Sequence, residues 1–244
     1  MTAKPQFLLE KSRLAAKQMK TRLVILGGPG DGDVVAEALH HAEAAGGDLT
    51  LHGFLNDALE PGSRVAGAPV LGRFEDWVSL PEDIRFIPVV HKVLETPRRV
   101  ARIRSLNLPD DRLASVIHPT ACIARDVTIG PGSFIASHVT IQPGARLGKV
   151  VTIRAGASIG HDAEIGDFVY VGPNATLCGR AILEEGAHMG PNSVLLDRRI
   201  VGAYCLVGIG AAVMKNFPPF SVLSGNPARR TSSVPGAPKE GDHG

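Results

Sequence analysis

The chain has 244 residues, enough for one large domain or two modest ones at roughly 100–200 residues each. Its 26 basic side chains against 24 acidic ones leave a net charge of +2, and its aromatics are 8 Phe, 2 Tyr and 1 Trp, which excludes the charge footprint and stacking platforms of a nucleic-acid binder. No apolar run reaches the ~18 residues of a membrane span, and Cys122, Cys178 and Cys205 are too few and too scattered for a disulfide framework or a zinc knuckle.

The segment 1–20 carries five basic side chains against Glu10 and reads as an arm or short helix. It lacks the continuous apolar core and cleavage site of a secretory leader, so a soluble, cytoplasmic protein is expected. From residue 21 to 112 the pattern is α/β. Arg22–Leu26 reads as a buried strand that runs into the glycine-rich turn Gly27–Gly32. A helix follows with Val34, Val35, Ala38 and Leu39 at core spacing, and Gly46–Gly47 ends it. Leu49–Leu55 and Arg85–Val90 read as further strands, and Pro97–Leu106 as a helix with Val100, Ile103 and Leu106 on one face. A strand, a glycine-rich turn and a helix make the first unit of a nucleotide-binding sheet.

The pattern changes over residues 113–230. From Ile117 to Val213 every sixth residue is aliphatic, seventeen times without a phase slip. With aliphatics at about a quarter of positions, chance gives that on the order of 10⁻¹⁰, so this is a repeat. The fifth position of each hexad is small or β-branched, from Ala121 and Val127 to Cys205 and Ala211, with Arg199 the exception. A helix of 3.6 residues per turn cannot hold a hexad in phase. A two-residue strand followed by a corner can. Three hexads then close a triangular coil, and stacking at about 4.8 Å makes a prism of roughly 27 Å. The tail, 231–244, is rich in Ser, Pro and Gly and is expected to be disordered.

Segments such as Ile129-Gly-Pro-Gly-Ser-Phe134 and Val171-Gly-Pro-Asn-Ala-Thr176 resemble the hexapeptide repeats of left-handed β-helix acyltransferases. Combined with the α/β unit before it, the chain resembles the NeuD/PglD-type sugar acetyltransferases over about residues 21–230. The matching landmarks are Val24–Val35, Gly53–Asp57, Ser158–Gly166 and Gly225–Arg229. The resemblance implies an N-terminal Rossmann-like domain (21–112) for a nucleotide-linked 4-amino sugar, a left-handed β-helix (113–230) for acetyl-CoA, and a homotrimer. The expected reaction is N-acetylation of the amino sugar in glycan biosynthesis. The alternatives are sugar O-acetylation of the sialic-acid type, a longer acyl donor, and a trimeric nucleotide-binding scaffold without catalysis.

Acyl transfer needs a base for the attacking group and donors for the oxyanion. His161 sits at the third position of a hexad, at a corner from which it can project, and Asp162 can hold its imidazole in one tautomer. Both match the family's His-acidic motif, which makes them the expected catalytic pair. The same resemblance places CoA at Tyr170, Gly179, Pro191, Gly208, Ile209 and Gly210, with Arg229 and Arg230 near its phosphates. It places the nucleotide at Gly28, Pro29, Gly30, Asp31, Asn56 and Asp57, with Asp57 accepting from a base or ribose. Here the chain departs from its relatives. Asp31 and Asp33 stand where they carry potential cations, an arrangement that opposes a diphosphate. Asp33 is a candidate helix N-cap, and His91 and Lys92 are candidates to restore positive charge. No metal is expected: His118, His138, His161 and His188 lie 20, 23 and 27 residues apart, unlike the zinc ligands of the γ-class carbonic anhydrases that share a β-helix.

Overall fold

The computed structural model describes residues 20–89 and 91–236. The expected N-terminal arm, apart from Lys20, and the end of the tail from residue 237 lie outside the described residues.

An α/β unit comes first: β1 (Thr21–Leu26), α1 (Asp31–Ala44), β2 (Leu49–Leu55), β3 (Arg64–Val65), β4 (Ala68–Gly72), β5 (Arg85–Pro88) and α2 (Thr96–Arg104). The strands form one sheet in the order β3-β4-β2-β1-β5, parallel except for the short β3–β4 hairpin. Alternation along β1 explains the two layers. Leu23 and Ile25 belong to the core that holds Val35, Ala38 and Leu39 of α1, whereas Val24 and Leu26 belong to the core with Val100 and Ile103 of α2. Since β2 and β5 flank β1 on opposite sides, the sheet changes direction at β1, the place where open α/β sheets hold ligands. The expected strand Arg85–Val90 ends at Pro88; the Val89 N–H still donates to the Leu26 carbonyl (2.8 Å), and Val90 is outside the described residues.

After a short turn at Asp110–Arg112, seventeen two-residue strands run from β6 (Val116–Ile117) to β22 (Ala212–Val213), each ending on the aliphatic of its hexad. They stack in parallel every third strand, so residue i pairs with residue i+18 and three flat faces result. We call face one the sheet that begins with β6, face two the sheet that begins with β7 (Cys122–Ile123), and face three the sheet that begins with β8 (Thr128–Ile129). The hexad aliphatics from Ile135 onward fill the interior, and the fifth-position Ala, Ser and Val residues from Ser133 to Ala211 are buried at the corners. Ile117, in the first coil, is 39% exposed because no coil lies below it.

The fourth position of the hexad takes left-handed backbone, with φ near +55° at His138, Asp162, Asn174 and Arg180 and glycine at Gly144 and Gly156. Val150, Phe168 and Tyr204 also adopt it (φ 55°, 58° and 56°), which bulky side chains do only against a penalty of order 1–3 kcal/mol. Packing offsets that strain. All three line the edge between faces three and one, and they join the core made by Ile103, Leu106 and Phe86 of the α/β unit. The tail departs from expectation at its start. Arg229–Ser233 forms β24, paired antiparallel with β23 (Ser221–Ser224), and Val234 is buried. The hairpin continues face one beyond the last coil.

Candidate active site

Two places in the fold gather chemistry. The first is a cavity of about 710 Å³ at the C-terminal ends of β1, β2 and β5, within the size range of small-molecule sites. Of the six residues expected to hold a nucleotide, Gly28, Pro29, Asp31, Asn56 and Asp57 line it and Gly30 does not. Gly30 is instead the residue before α1, with φ +90°, a conformation that glycine adopts freely. It is also the helix N-cap. Asp33, expected in that role, lies in the first turn, and its carboxylate accepts the Gly30 N–H at 2.7 Å.

Asn56 and Asp57 are engaged with the protein. The Asn56 amide donates to the Gly27 carbonyl (2.9 Å), and its oxygen accepts from the Ala58 and Leu59 N–H groups, which ties the ends of β1 and β2 together. Asp57 accepts from the Phe74 N–H (2.9 Å) and pairs with Arg102 (2.9 Å). On the opposite wall stand Lys92, Arg98, Arg99 and Arg102. Lys92 and Arg99 share Glu95, and Arg102 also holds Glu75. Arg98 makes no ion pair with any described residue.

The acidic loop is compensated from a direction that local sequence does not reveal. Asp31 pairs at 2.5 Å with Arg154, a largely buried side chain of the β-helix 123 positions away. His91 does not provide the expected positive charge. Burial, reinforced by the neighbouring His188, pushes its pKa down to about 3, so the ring is neutral. It lies 5.2 Å from the Tyr170 ring, which stacks on His188 at 4.3 Å.

The second place is the edge between faces two and three. His161 follows β13 (Ser158–Ile159) on face two and precedes β14 (Glu164–Ile165) on face three. Its Nδ1 lies 2.9 Å from Asp162 Oδ2, and Arg180 approaches the same oxygen at 3.5 Å. The hydrogen bond from His161, with Arg180 beside it, holds the Asp162 carboxyl below its ordinary range. An ionised carboxylate only accepts, so Nδ1 carries a proton, and in the neutral ring the lone pair is on Nε2. Both side chains are about half exposed, and Nε2 makes no hydrogen bond to any described residue.

The structure divides the expected CoA residues. Gly179 lies one coil above His161, on the edge between faces two and three. Pro191 and the Gly208–Gly210 run follow face-one strands and lie on the edge between faces one and two, with Ile209 76% exposed. These groups border face two from its two sides. Tyr170 is not with them; it lies on face one beneath His91. Arg230 pairs with Ser233 within the terminal hairpin. No group of three or more His, Cys, Asp or Glu among the described residues could hold a metal.

Sequence reasoning missed Arg154 and Arg98. The 18-residue coil step, already implicit in the hexad, was the signal that puts Gly179 over His161 and His188 over Tyr170.

Comparison with known proteins bears on both places. The model of the bacterial transferase hexapeptide family (six repeats) matches residues 144–179, which include His161, Asp162 and Gly179. Perosamine N-acetyltransferase PerB of Caulobacter crescentus, solved with CoA and GDP-perosamine, is 27% identical, with a TM-score of 0.75 over 86% of this chain and 97% of that one. The acetyltransferase domain of PglB from Neisseria gonorrhoeae, solved with acetyl-CoA, is 29% identical, with a TM-score of 0.73 over 86% and 99%. The chain is an acyltransferase with hexapeptide repeats, and its structural neighbours are sugar N-acetyltransferases of the NeuD/PglD-like type. Its repeat region is a left-handed β-helix. WeeI of Acinetobacter baumannii has the same build, at 26% identity and a TM-score of 0.71 over 86% of this chain and 100% of that one. No curated protein sequence matches significantly. No helix among the described residues is long and apolar enough to cross a membrane.

Proposed function

We propose that this acyltransferase moves an acetyl group from acetyl-CoA to the amine of a nucleotide-linked 4-amino sugar, with His161 as general base. The observation that carries the reading is the His161–Asp162 pair on an open edge of the prism. Its Nδ1 proton is committed to a carboxylate, and its Nε2 is free to accept one. The relatives solved with CoA, acetyl-CoA and GDP-perosamine support the choice of donor and acceptor.

The amine nitrogen attacks the thioester carbon as Nε2 takes its proton. A C–N bond forms and the carbonyl π electrons move onto oxygen, where N–H donors stabilise the charge. When the carbonyl re-forms, the C–S bond breaks and CoA leaves as thiolate, which recovers the proton from His161. A positioned base contributes about 10²–10⁴-fold. Asp162 keeps the ring in the accepting tautomer throughout.

Location supports a shared site. The cavity of the α/β unit lies on the side of face one: His91 touches Tyr170, Asp31 reaches Arg154, and Arg104 pairs with Glu185 at 2.6 Å. His161 lies on the opposite edge of the triangle. On this reading a sugar anchored in the cavity of one chain reaches the His161 of another, in a trimeric assembly with CoA along face two.

The test is CoA thiol release from acetyl-CoA with UDP-, GDP- and dTDP-linked 4-amino sugars, the free amino sugar and a hydroxyl acceptor. Release with one nucleotide amino sugar, lost in His161→Ala while CoA still binds, is the expected result. Release with the hydroxyl acceptor alone would replace N- by O-acetylation. Turnover unchanged in the variant would remove His161 from the mechanism.

A further inference from the structure

His91 is 9% exposed, lines the cavity, and has no hydrogen-bond partner among the described residues for either ring nitrogen. The Val150 backbone lies close enough to favour a charged ring but is outside hydrogen-bonding geometry with both nitrogens. A buried polar group without a partner is destabilising, and native proteins rarely carry two on one side chain. Nothing about packing requires imidazole here. The ring rests against Tyr170, which stacks in turn on His188, and a phenyl group would make that contact as well. The orphaned pair is therefore explained by what the cavity holds.

The chemistry narrows that occupant. A neutral imidazole offers one donor and one acceptor. It complements a hydroxyl or a ring amide, which offer the same two functions, and it gives a phosphate no positive charge. Positive charge is available elsewhere in the cavity, at Arg98, which pairs with no carboxylate among the described residues. The loop that would otherwise cradle a phosphate carries Asp31, already bound to Arg154. We propose that His91 is a specificity-determining residue that reads an uncharged hydroxyl or amide of the bound nucleotide sugar, while Arg98 receives its diphosphate. This rests on the acceptor class proposed above and adds which side chains recognise it.

The experiment is calorimetric titration of the full chain and its His91→Phe and His91→Asn variants with GDP, UDP, GDP-mannose and UDP-glucose, with melting temperatures measured alongside. His91→Phe is expected to weaken the nucleotide that the wild type prefers about fivefold or more, the scale of one lost buried hydrogen bond, and to melt no lower than the wild type. His91→Asn, which keeps a donor and an acceptor, is expected to bind between the two. Equal weakening of the diphosphate and its sugar conjugate places the recognised group in the nucleoside; weakening of the conjugate alone places it in the sugar. Unchanged affinity in His91→Phe, or a melting temperature well below that of both other proteins, overturns the proposal and assigns the ring to packing. Absence of binding by the wild type to all four probes overturns the acceptor class as well, whereas binding that ignores the His91 substitutions leaves that class standing.

Discussion

Gly179 lies directly against the imidazole of His161, one coil away. A Cβ built on it would stand 2.8 Å from Cε1 and closer still to Nε2, so the absence of a side chain at 179 is what lets the ring lie flat along the prism edge. The family resemblance makes the residue a CoA contact, yet its first physical role is to leave room for the base. Gly179→Ala is expected to turn the ring off Asp162 and lower kcat at least tenfold. The clash is with the outer end of a half-exposed side chain and not with backbone, so the melting temperature should shift little and CoA affinity should fall far less than kcat. Steady-state kinetics with direct CoA titration separates the two; equal losses in kcat and CoA affinity would make Gly179 a cofactor contact instead.

Asp162 has a comparable constraint. It adopts φ +54° at the hexad corner, and a Cβ on Gly144, one coil below, would overlap its carboxylate. Asp162→Asn keeps the shape and removes the charge that fixes the Nδ1 proton. The amide can donate to Nδ1 as readily as accept from it, and the first arrangement leaves the proton on Nε2, where it blocks base catalysis. We expect kcat to drop about 10- to 1000-fold with an unchanged melting temperature. Activity within twofold of the wild type would show that the ring orients itself without the carboxylate.

Arg154 and Asp31 join the β-helix to the glycine-rich loop. Arg154→Met leaves a carboxylate beside the cavity with nothing to neutralise it, so nucleoside diphosphate binding should weaken about tenfold and stability should fall by about 1 kcal/mol. The double variant Asp31→Asn/Arg154→Met removes both charges and should regain most of the binding. If the single and double variants bind alike, the pair is a strut between the two units and has no part in tuning the loop. Titration with GDP or UDP reads the difference.

The β-helix was legible because its physics is periodic. One aliphatic every six residues admits one architecture, and Ile135, Ile153 and Val171 are buried as that architecture requires. The first α/β unit was legible from β1, the glycine-rich turn and α1. The hairpin β3–β4 was not, since Arg64–Val65 and Ala68–Gly72 are too short to show alternation. Neither was β24: Arg229–Ser233 is exposed along its length and gains its order by pairing with β23. At the site, His161 and Asp162 are neighbours in sequence and so were found together. Arg154 with Asp31, and His91 with Tyr170, come from distant parts of the chain. No local pattern marks such pairs, because docking of the α/β unit on face one brings them into contact. Hence the sequence suggested His91 as a cation, while the structure buries it as a neutral ring.

That burial has a pH signature. His91 and His188 are held neutral, chiefly by desolvation, with pKa values of about 3 and about 4. In the unfolded chain both titrate near the ordinary value of 6.5. Below that pH the unfolded state takes up protons that the folded state refuses, so stability is full above about pH 6.5 and is lost as pH falls toward the folded values. His118, packed at 2.8 Å from His41, is also lowered by burial and adds in the same direction. Each of the two buried rings should contribute a loss of about 2 kcal/mol between pH 7 and pH 5, at about 1.4 kcal/mol per unit. Urea unfolding at those two pH values checks this, with His188→Phe alongside. The variant should lose about 2 kcal/mol less than the wild type over the interval, because it has one fewer proton to exclude. Equal losses in the two proteins would mean that His188 is protonated in the folded chain, with Asp31, the one carboxylate near it that favours its charged form, as the partner.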